Sequence, residues 1–163
     1  MDRPSYKWLA MPIWTLALAI SACNHSQDKT ALSHIPAPAN PRDIAAWEAY
    51  MLQVTSARIG DKAARPYLFL VPFGDEIGAR DRRRMIQQVL SGMASRNNFP
   101  GTMIAVGGPN PQSSADVLVM AFDHTKPGSL QNLTVFYVGD DGDKTRVENA
   151  ITKTGATLSY VKI

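Results

Sequence analysis

The chain has 163 residues, of which 45% are hydrophobic and 19% charged, with a formal net charge of +3. This length suits one domain with short extensions, and the apolar fraction excludes a wholly disordered protein. The single cysteine excludes an internal disulfide and a zinc site built from several cysteines. The small positive charge does not indicate a nucleic-acid partner.

The N-terminal segment has the layout of a secretory signal peptide. Arg3 and Lys7 precede an uncharged stretch, residues 8–22, that ends in small residues. A helix that spans a membrane needs about 20 apolar residues, so this stretch is short for a permanent anchor. A basic start, a short apolar region and small residues before a cleavage point are typical of a signal that is removed.

The end of that stretch carries a second signal, in the residues Ile20-Ser21-Ala22-Cys23. These resemble the lipobox of bacterial lipoproteins, in which an aliphatic residue and two small residues precede an obligatory cysteine. The resemblance implies that residues 1–22 are cleaved and that Cys23 carries the acyl chains that attach the protein to a membrane. The alternative is an ordinary buried cysteine behind an uncleaved anchor.

The residue after the cysteine bears on the location. An Asp at this position would resemble the retention signal of inner-membrane lipoproteins, but the chain has Asn24. The resemblance therefore favours the outer membrane, on its periplasmic face. We expect the acyl chains on Cys23 to contact the membrane and the rest of the chain to meet a periplasmic or outer-membrane protein.

Residues 23–41 are interpreted as the lipidated cysteine and a flexible tether. The segment is polar at first and then rich in proline, with Pro36, Pro38 and Pro41 near its end. Such a composition does not bury enough apolar area to fold by itself. His25 and His34 lie in this segment, and we interpret them as solvated residues of the tether, so the sequence predicts no metal site there.

Regular signals begin after Pro41. Apolar residues at spacings of three and four predict an amphipathic helix from Asp43 to about Ile59-Gly60, with Ile44, Trp47, Met51 and Val54 on one face. Four short apolar runs predict strands, because each is nearly continuous and rich in aromatic or β-branched residues. The predicted strands are residues 67–71, 103–106, 133–138 and 158–161.

Helices are predicted between the strands. Residues 80–96 place Ile86, Val89, Leu90 and Met93 on one face, and residues 143–154 place Val147, Ala150 and Ile151 together. Residues 113–122 are open to two interpretations. The run Val117–Val119 favours a strand, whereas Ser113 followed by Asp116 resembles a helix-capping box. The helix is preferred because it gives a strict alternation of strands and helices.

This alternation predicts one α/β domain over residues 42–163, with three layers in the order α/β/α and about four mostly parallel strands. In open parallel sheets, ligands usually lie beyond the carboxyl ends of the strands. Acidic residues follow two of the predicted strands, and we expect them to gather on one rim as a candidate ligand or cation site. These residues are Asp75, Glu76, Asp140, Asp141 and Asp143. The alternative is that they cap helices and form turns.

Other chemistry has weaker signals. The chain lacks the glycine motifs of nucleotide-binding loops and the Gly-x-Ser-x-Gly motif of hydrolases. A nucleophile at Ser113 or Ser114 with His124 is conceivable, but a helix cap and a solvent-facing histidine are the simpler interpretation. The basic residues Arg80, Arg82, Arg83 and Arg84 suit either an anionic ligand or a solvated helix turn.

The sequence thus predicts no catalytic residues, no cofactor and no resident metal. It favours a non-enzymatic, membrane-anchored lipoprotein that serves as a binding or scaffold component of the bacterial cell envelope, for example as an accessory in secretion or cell-wall assembly. The alternative function is a small ligand-binding, cation-binding or hydrolytic domain that uses the acidic rim.

Overall fold

The computed structural model describes residues 35–59, 66–96 and 103–163. The predicted signal peptide, Cys23, His25, His34 and most of the predicted tether lie outside these residues, as does Gly60. Among the residues described, no helix is both long enough and apolar enough to cross a membrane.

Four helices alternate with four strands along the chain. In order they are α1 (Ile44–Ile59), β1 (Tyr67–Leu70), α2 (Ile77–Ser95), β2 (Met103–Gly107), α3 (Pro111–Phe122), β3 (Thr134–Gly139), α4 (Asp141–Thr152) and β4 (Thr157–Lys162). The predicted alternation is confirmed, and the protein is an α/β domain. The segment that the sequence left open between helix and strand is helical.

The start of α3 explains why this segment is a helix despite its valines. Pro111 occupies the first turn, where a backbone N–H has no acceptor within the helix, so the absence of an N–H on proline costs no hydrogen bond. The side chain of Asn110 caps the helix and accepts a hydrogen bond from the backbone N–H of Ser113 at 3.1 Å. The prediction that Ser113 itself is the cap was wrong, because the helix begins earlier, at Pro111.

The strands form one parallel sheet in the order β1-β2-β3-β4. Each strand pairs with the next one along the chain, so each connection is a single crossover through a helix. When each strand is joined to its neighbour by a crossover of the same handedness, all the crossover helices lie on one face of the sheet. Accordingly, α2 packs against α3 and α3 packs against α4.

The core has two parts, one on each face of the sheet. Residues of α2, α3 and α4 pack on one face around Tyr137, which is fully buried with Phe122 and Leu90. On the other face, Trp47, Met51 and other residues of α1 pack against strand residues that include Val138 and Val161. The three layers predicted from the sequence are therefore present.

Two apolar residues predicted to face the core are instead exposed. The exposed fraction is 52% for Ile44 in α1 and 46% for Val89 in α2. Ile44 is the first residue of α1, and α2 is the end helix of its layer, since it packs against α3 on one side and no described helix packs on the other. Part of the apolar surface of α1 and α2 is therefore open beside β1.

We expect two glycine-to-alanine substitutions to have opposite effects on stability. A Cβ at Gly108 would lie 2.2 Å from the carbonyl oxygen of Val71, so Gly108→Ala must displace the backbone and lower the free energy of unfolding by about 1–3 kcal/mol. In α2, a Cβ at Gly92 meets nothing within 4 Å, so Gly92→Ala should raise it by about 0.5–1 kcal/mol. Equilibrium urea denaturation measures both. A Gly108→Ala protein as stable as the original chain would contradict the close approach.

Candidate binding groove

The two acidic residues that follow β1 face arginines. Asp75 Oδ1 accepts a hydrogen bond from Arg83 Nη2 at 3.2 Å, and Glu76 Oε1 lies 3.4 Å from Arg42 Nη1. The pKa of Glu76 lies below its ordinary value because the carboxylate accepts a backbone hydrogen bond and faces Arg42. Both carboxylates thus have a cationic partner on the protein itself.

The three acidic residues that follow β3 also have partners. Asp140 caps α4, where its Oδ1 accepts hydrogen bonds from the backbone N–H groups of Gly142 at 3.0 Å and of Asp143 at 3.3 Å. Asp143 in turn accepts from Arg146 at 2.7 Å. The alternative interpretation of these residues, that they cap helices and form turns, describes Asp140 directly.

Asp141 joins the start of α4 to the last strand. It pairs with Lys162 and accepts a hydrogen bond from the Tyr160 hydroxyl at 3.0 Å. These two hydrogen bonds, that from Lys162 first, hold the pKa of Asp141 below its ordinary value. Its function in the fold is to connect the end of β4 to α4.

The structure divides the predicted acidic rim into two groups. Because β2 lies between β1 and β3, the acidic residues after β1 start about 10 Å from those after β3. In many open parallel sheets, ligands bind at the point where the strand order reverses. The order β1-β2-β3-β4 has no such point. Within residues 35–59, 66–96 and 103–163, no group of three or more histidine, cysteine or acidic side chains could hold a metal ion.

The conceivable hydrolase residues are far apart. Ser113 lies at the start of α3 and His124 beyond its end, a separation of about 16 Å along a helix. Ser114 is buried and its hydroxyl donates to the carbonyl oxygen of Asn110 at 3.1 Å. The side chain of His124 is 96% exposed, and the carboxylate of Asp123 is its neighbour. The arrangement therefore does not bring His124 beside either serine.

The basic residues of α2 have different surroundings. Arg83 donates to the carbonyl oxygens of Pro72 and Gly74 and to Asp75, which fixes the loop after β1. Arg84 lies 3.9 Å from Asp81 on the same helix. Arg80, Arg83 and Arg84 border a polar cleft between α2 and α3 that also contains Ser113 and Asp116. Arg82 faces a different space, on the β1 side of the helix.

That space is a groove of about 510 Å³ that follows β1 between α1 and α2. We call it the edge groove. Its floor is formed by Leu68, Phe69 and Leu70 of β1. One wall comes from α1 and the residues before it, and the other from α2 and the loop before it. These wall residues are Pro41, Arg42, Ile44, Trp47, Glu48, Pro72, Phe73, Glu76, Gly78, Ala79, Arg82, Met85 and Ile86, and Pro109 of the loop after β2 also lines the groove.

The lining of the edge groove is mainly apolar, and several of its large side chains are exposed. The exposed fraction is 52% for Ile44, 37% for Phe73 and 56% for Met85. At one end, the guanidinium of Arg42 lies 5.7 Å from the ring centroid of Phe73 and pairs with Glu76. An open apolar surface bordered by charged residues is the usual character of a protein-binding site.

The floor of the groove is an edge strand. Among the described residues, β1 pairs only with β2. The backbone N–H of Val71 donates to Gly107 of β2 at 2.8 Å. Because backbone groups alternate in direction along a strand, those of Phe69 also point to β2, whereas those of Leu68 and Leu70 point outward. The groove therefore exposes both apolar side chains and outward-facing backbone groups.

Sequence reasoning missed this groove. Of the predicted site residues, only Glu76 lines it, together with Arg82 of the basic run. One signal was available, since β1 has the sequence Tyr-Leu-Phe-Leu with no charged residue. The sequence nevertheless does not say that this strand lies at an edge.

Comparisons with known proteins add no assignment. No protein-family model matches the chain, and no curated protein and no solved structure is significantly similar to it.

We expect Asp140 to act as a helix cap. Asp140→Ala removes the acceptor for the backbone N–H groups of Gly142 and Asp143 and should lower the free energy of unfolding by about 1 kcal/mol. Asp140→Asn keeps a capping oxygen and should change the free energy of unfolding by only about a few tenths of a kcal/mol. Urea denaturation with and without Ca²⁺ or Mg²⁺ measures both effects. A cation-dependent stabilisation that Asp140→Asn abolishes would contradict the capping interpretation and support a cation site.

Proposed function

We propose that the protein is a lipid-anchored component of the bacterial cell envelope that binds a protein partner through the edge groove and catalyses no reaction. The acyl chains on Cys23 attach it to a membrane, with the periplasmic face of the outer membrane as the favoured location. The α/β domain is the part that meets the partner.

The groove is the observation that carries the binding part of this proposal. It has the volume of a ligand site, and exposed apolar side chains such as Ile44 and Met85 border it. Covering such exposed apolar surface removes it from water, which favours the complex with a partner. The five acidic residues of the predicted rim also favour the groove over the rim as the binding site, because their contacts to arginine, lysine and backbone groups give them structural functions.

The path of the chain supports a link between the anchor and the groove. Pro41, the last residue of the predicted tether, and Arg42, the first residue of the predicted domain, line the edge groove. Asn40 is held nearby, because its carbonyl oxygen accepts a hydrogen bond from Trp47 Nε1 at 3.1 Å. The tether therefore reaches the domain beside the binding surface, and a membrane-associated partner is within reach of it.

We expect fatty-acid labelling to depend on Cys23. When the full chain is expressed in a Gram-negative host with a clickable palmitate analogue, the original protein should be labelled and recovered with membranes. Cys23→Ser should be unlabelled and should keep the uncleaved size, because lipidation precedes cleavage in this class of protein. The chain has no other cysteine, so residual label on Cys23→Ser would refute attachment at this residue.

We expect a photo-crosslinking residue at Met85 to capture a partner in cells of the source organism. Met85 borders the groove and is 56% exposed, so the substitution leaves the core intact. The matched control is the same crosslinker at Asn149, which is exposed on α4 away from the groove. The proposal requires a discrete product that is specific to position 85. Identical products from both positions, or none from position 85, would contradict a binding function of the groove.

A further inference from the structure

The edge groove also indicates what kind of partner fits it, an inference that rests on the proposed binding function. Four features of this surface bear on the choice: the free strand edge, the depth of that edge, the lack of charge on β1 and the charge on the wall of α2.

Within residues 35–59, 66–96 and 103–163, the outer edge of β1 offers a row of unpaired hydrogen-bonding groups. Leu68 and Leu70 each present a backbone N–H and a backbone C=O away from β2, and no side chain or loop of the described residues bonds to these groups. An added strand would pair with them as β2 pairs with the other side of β1. Their side chains are only partly exposed, so the backbone is the recognisable feature.

The edge is recessed between two helix layers. Trp47 and Glu48 of α1 stand on one side of β1, and Arg82 and Met85 of α2 stand on the other. A second folded sheet would bring its own helices against these walls, whereas a single extended segment fits between them. The depth of the edge therefore favours a peptide segment over a second copy of this domain.

The two edges of the sheet differ in their protection. The other edge strand, β4, ends in Lys162, and charged residues on an edge discourage pairing with another chain. By contrast, β1 has no charged residue, and its Tyr67 is 59% exposed. The uncharged edge is the one suited to pairing.

The wall of α2 adds a charge preference. Arg83 and Arg84 have acidic neighbours, but no described carboxylate lies within 4.0 Å of Arg80 or Arg82. Of these two, only Arg82 lines the edge groove. An acidic side chain on the bound segment would pair with it in a charge-assisted contact.

We propose that the edge groove binds an extended peptide segment of a partner protein that carries an acidic side chain; the segment adds a fifth strand beside β1 and pairs that carboxylate with Arg82. Successive side chains of an added strand point to opposite faces, so neighbouring apolar residues of the segment contact Met85 on one wall and Ile44 on the other. Most of the affinity comes from the backbone pairing and the apolar contacts, and Arg82 selects for the acid.

The test uses the full chain in detergent micelles and displayed random peptides of about ten residues, the upper length of an ordinary strand. Selected peptides should contain adjacent apolar residues and an acid. Their affinity should fall about tenfold or more with Arg82→Glu, the loss expected when a charge-assisted contact becomes repulsive. The matched control is Arg80→Glu, an exposed arginine on the same helix outside the groove, which should change it less than about threefold.

Amide hydrogen exchange then tests the mode of binding. On peptide addition, exchange at Leu68 and Leu70 should slow, whereas Phe69, which already faces β2, should be protected throughout. The proposal is overturned if no selected peptide is sensitive to Arg82→Glu, or if the exchange at Leu68 and Leu70 is unchanged in the complex. It is also overturned if the free protein is a dimer with these two amides already protected, because a second copy then occupies the edge.

These outcomes are separable from those of the proposed function. A specific crosslink from position 85 without protection of Leu68 and Leu70 would keep the groove as a binding site and reject the added strand. Peptide binding with protection of these amides, but no crosslink in cells, would keep the added strand and reject the cellular function.

Discussion

Three consecutive crossovers of one hand place α2, α3 and α4 on the same face of a sheet whose strands follow the order of the chain. This arrangement leaves the opposite face without a crossover helix. A bare apolar face of a parallel sheet would remain in contact with water, and α1, which precedes the first strand, covers it with Trp47 and Met51. The three-layer form thus depends on a helix that lies outside the repeating unit.

The same strand order determines where an open surface remains. In a sheet with the order β1-β2-β3-β4, the first strand is necessarily an edge strand, and the first crossover helix lies at the end of its layer. The edge groove forms where these two ends meet α1. Its apolar walls are therefore a consequence of topology, because Ile44 and Met85 belong to apolar helix surfaces that border the outer edge of β1.

Strand order also separates the acidic residues. In a sheet with a reversal of order, loops from strands on both sides of the reversal open a crevice at the carboxyl ends. Here each loop instead closes onto its own helix, and Asp75 and Asp140 serve as local partners of Arg83 and of the start of α4.

The sequence by itself determined the local structure. The spacing of Trp47, Met51 and Val54 specified the face of α1, and the nearly continuous apolar runs specified parallel strands. Both patterns can be read locally, because a helix repeats its contacts every three to four residues and a strand covered on two faces is apolar at every position. The alternation of strands and helices then specified the fold class. The lipobox-like segment ending at Cys23 is likewise a local pattern, and it remains a prediction.

Only the tertiary structure decided which of these surfaces stays open. Nothing in the sequence Tyr-Leu-Phe-Leu says that β1 lies at an edge, since a central strand would have the same composition. The exposure of Ile44 and Val89 depends on whether another element lies beside them, and that is a property of the strand order and not of helical periodicity. The acidic rim failed to assemble for the same reason, because β2 lies between the two strands that carry it and each carboxylate has a nearer partner.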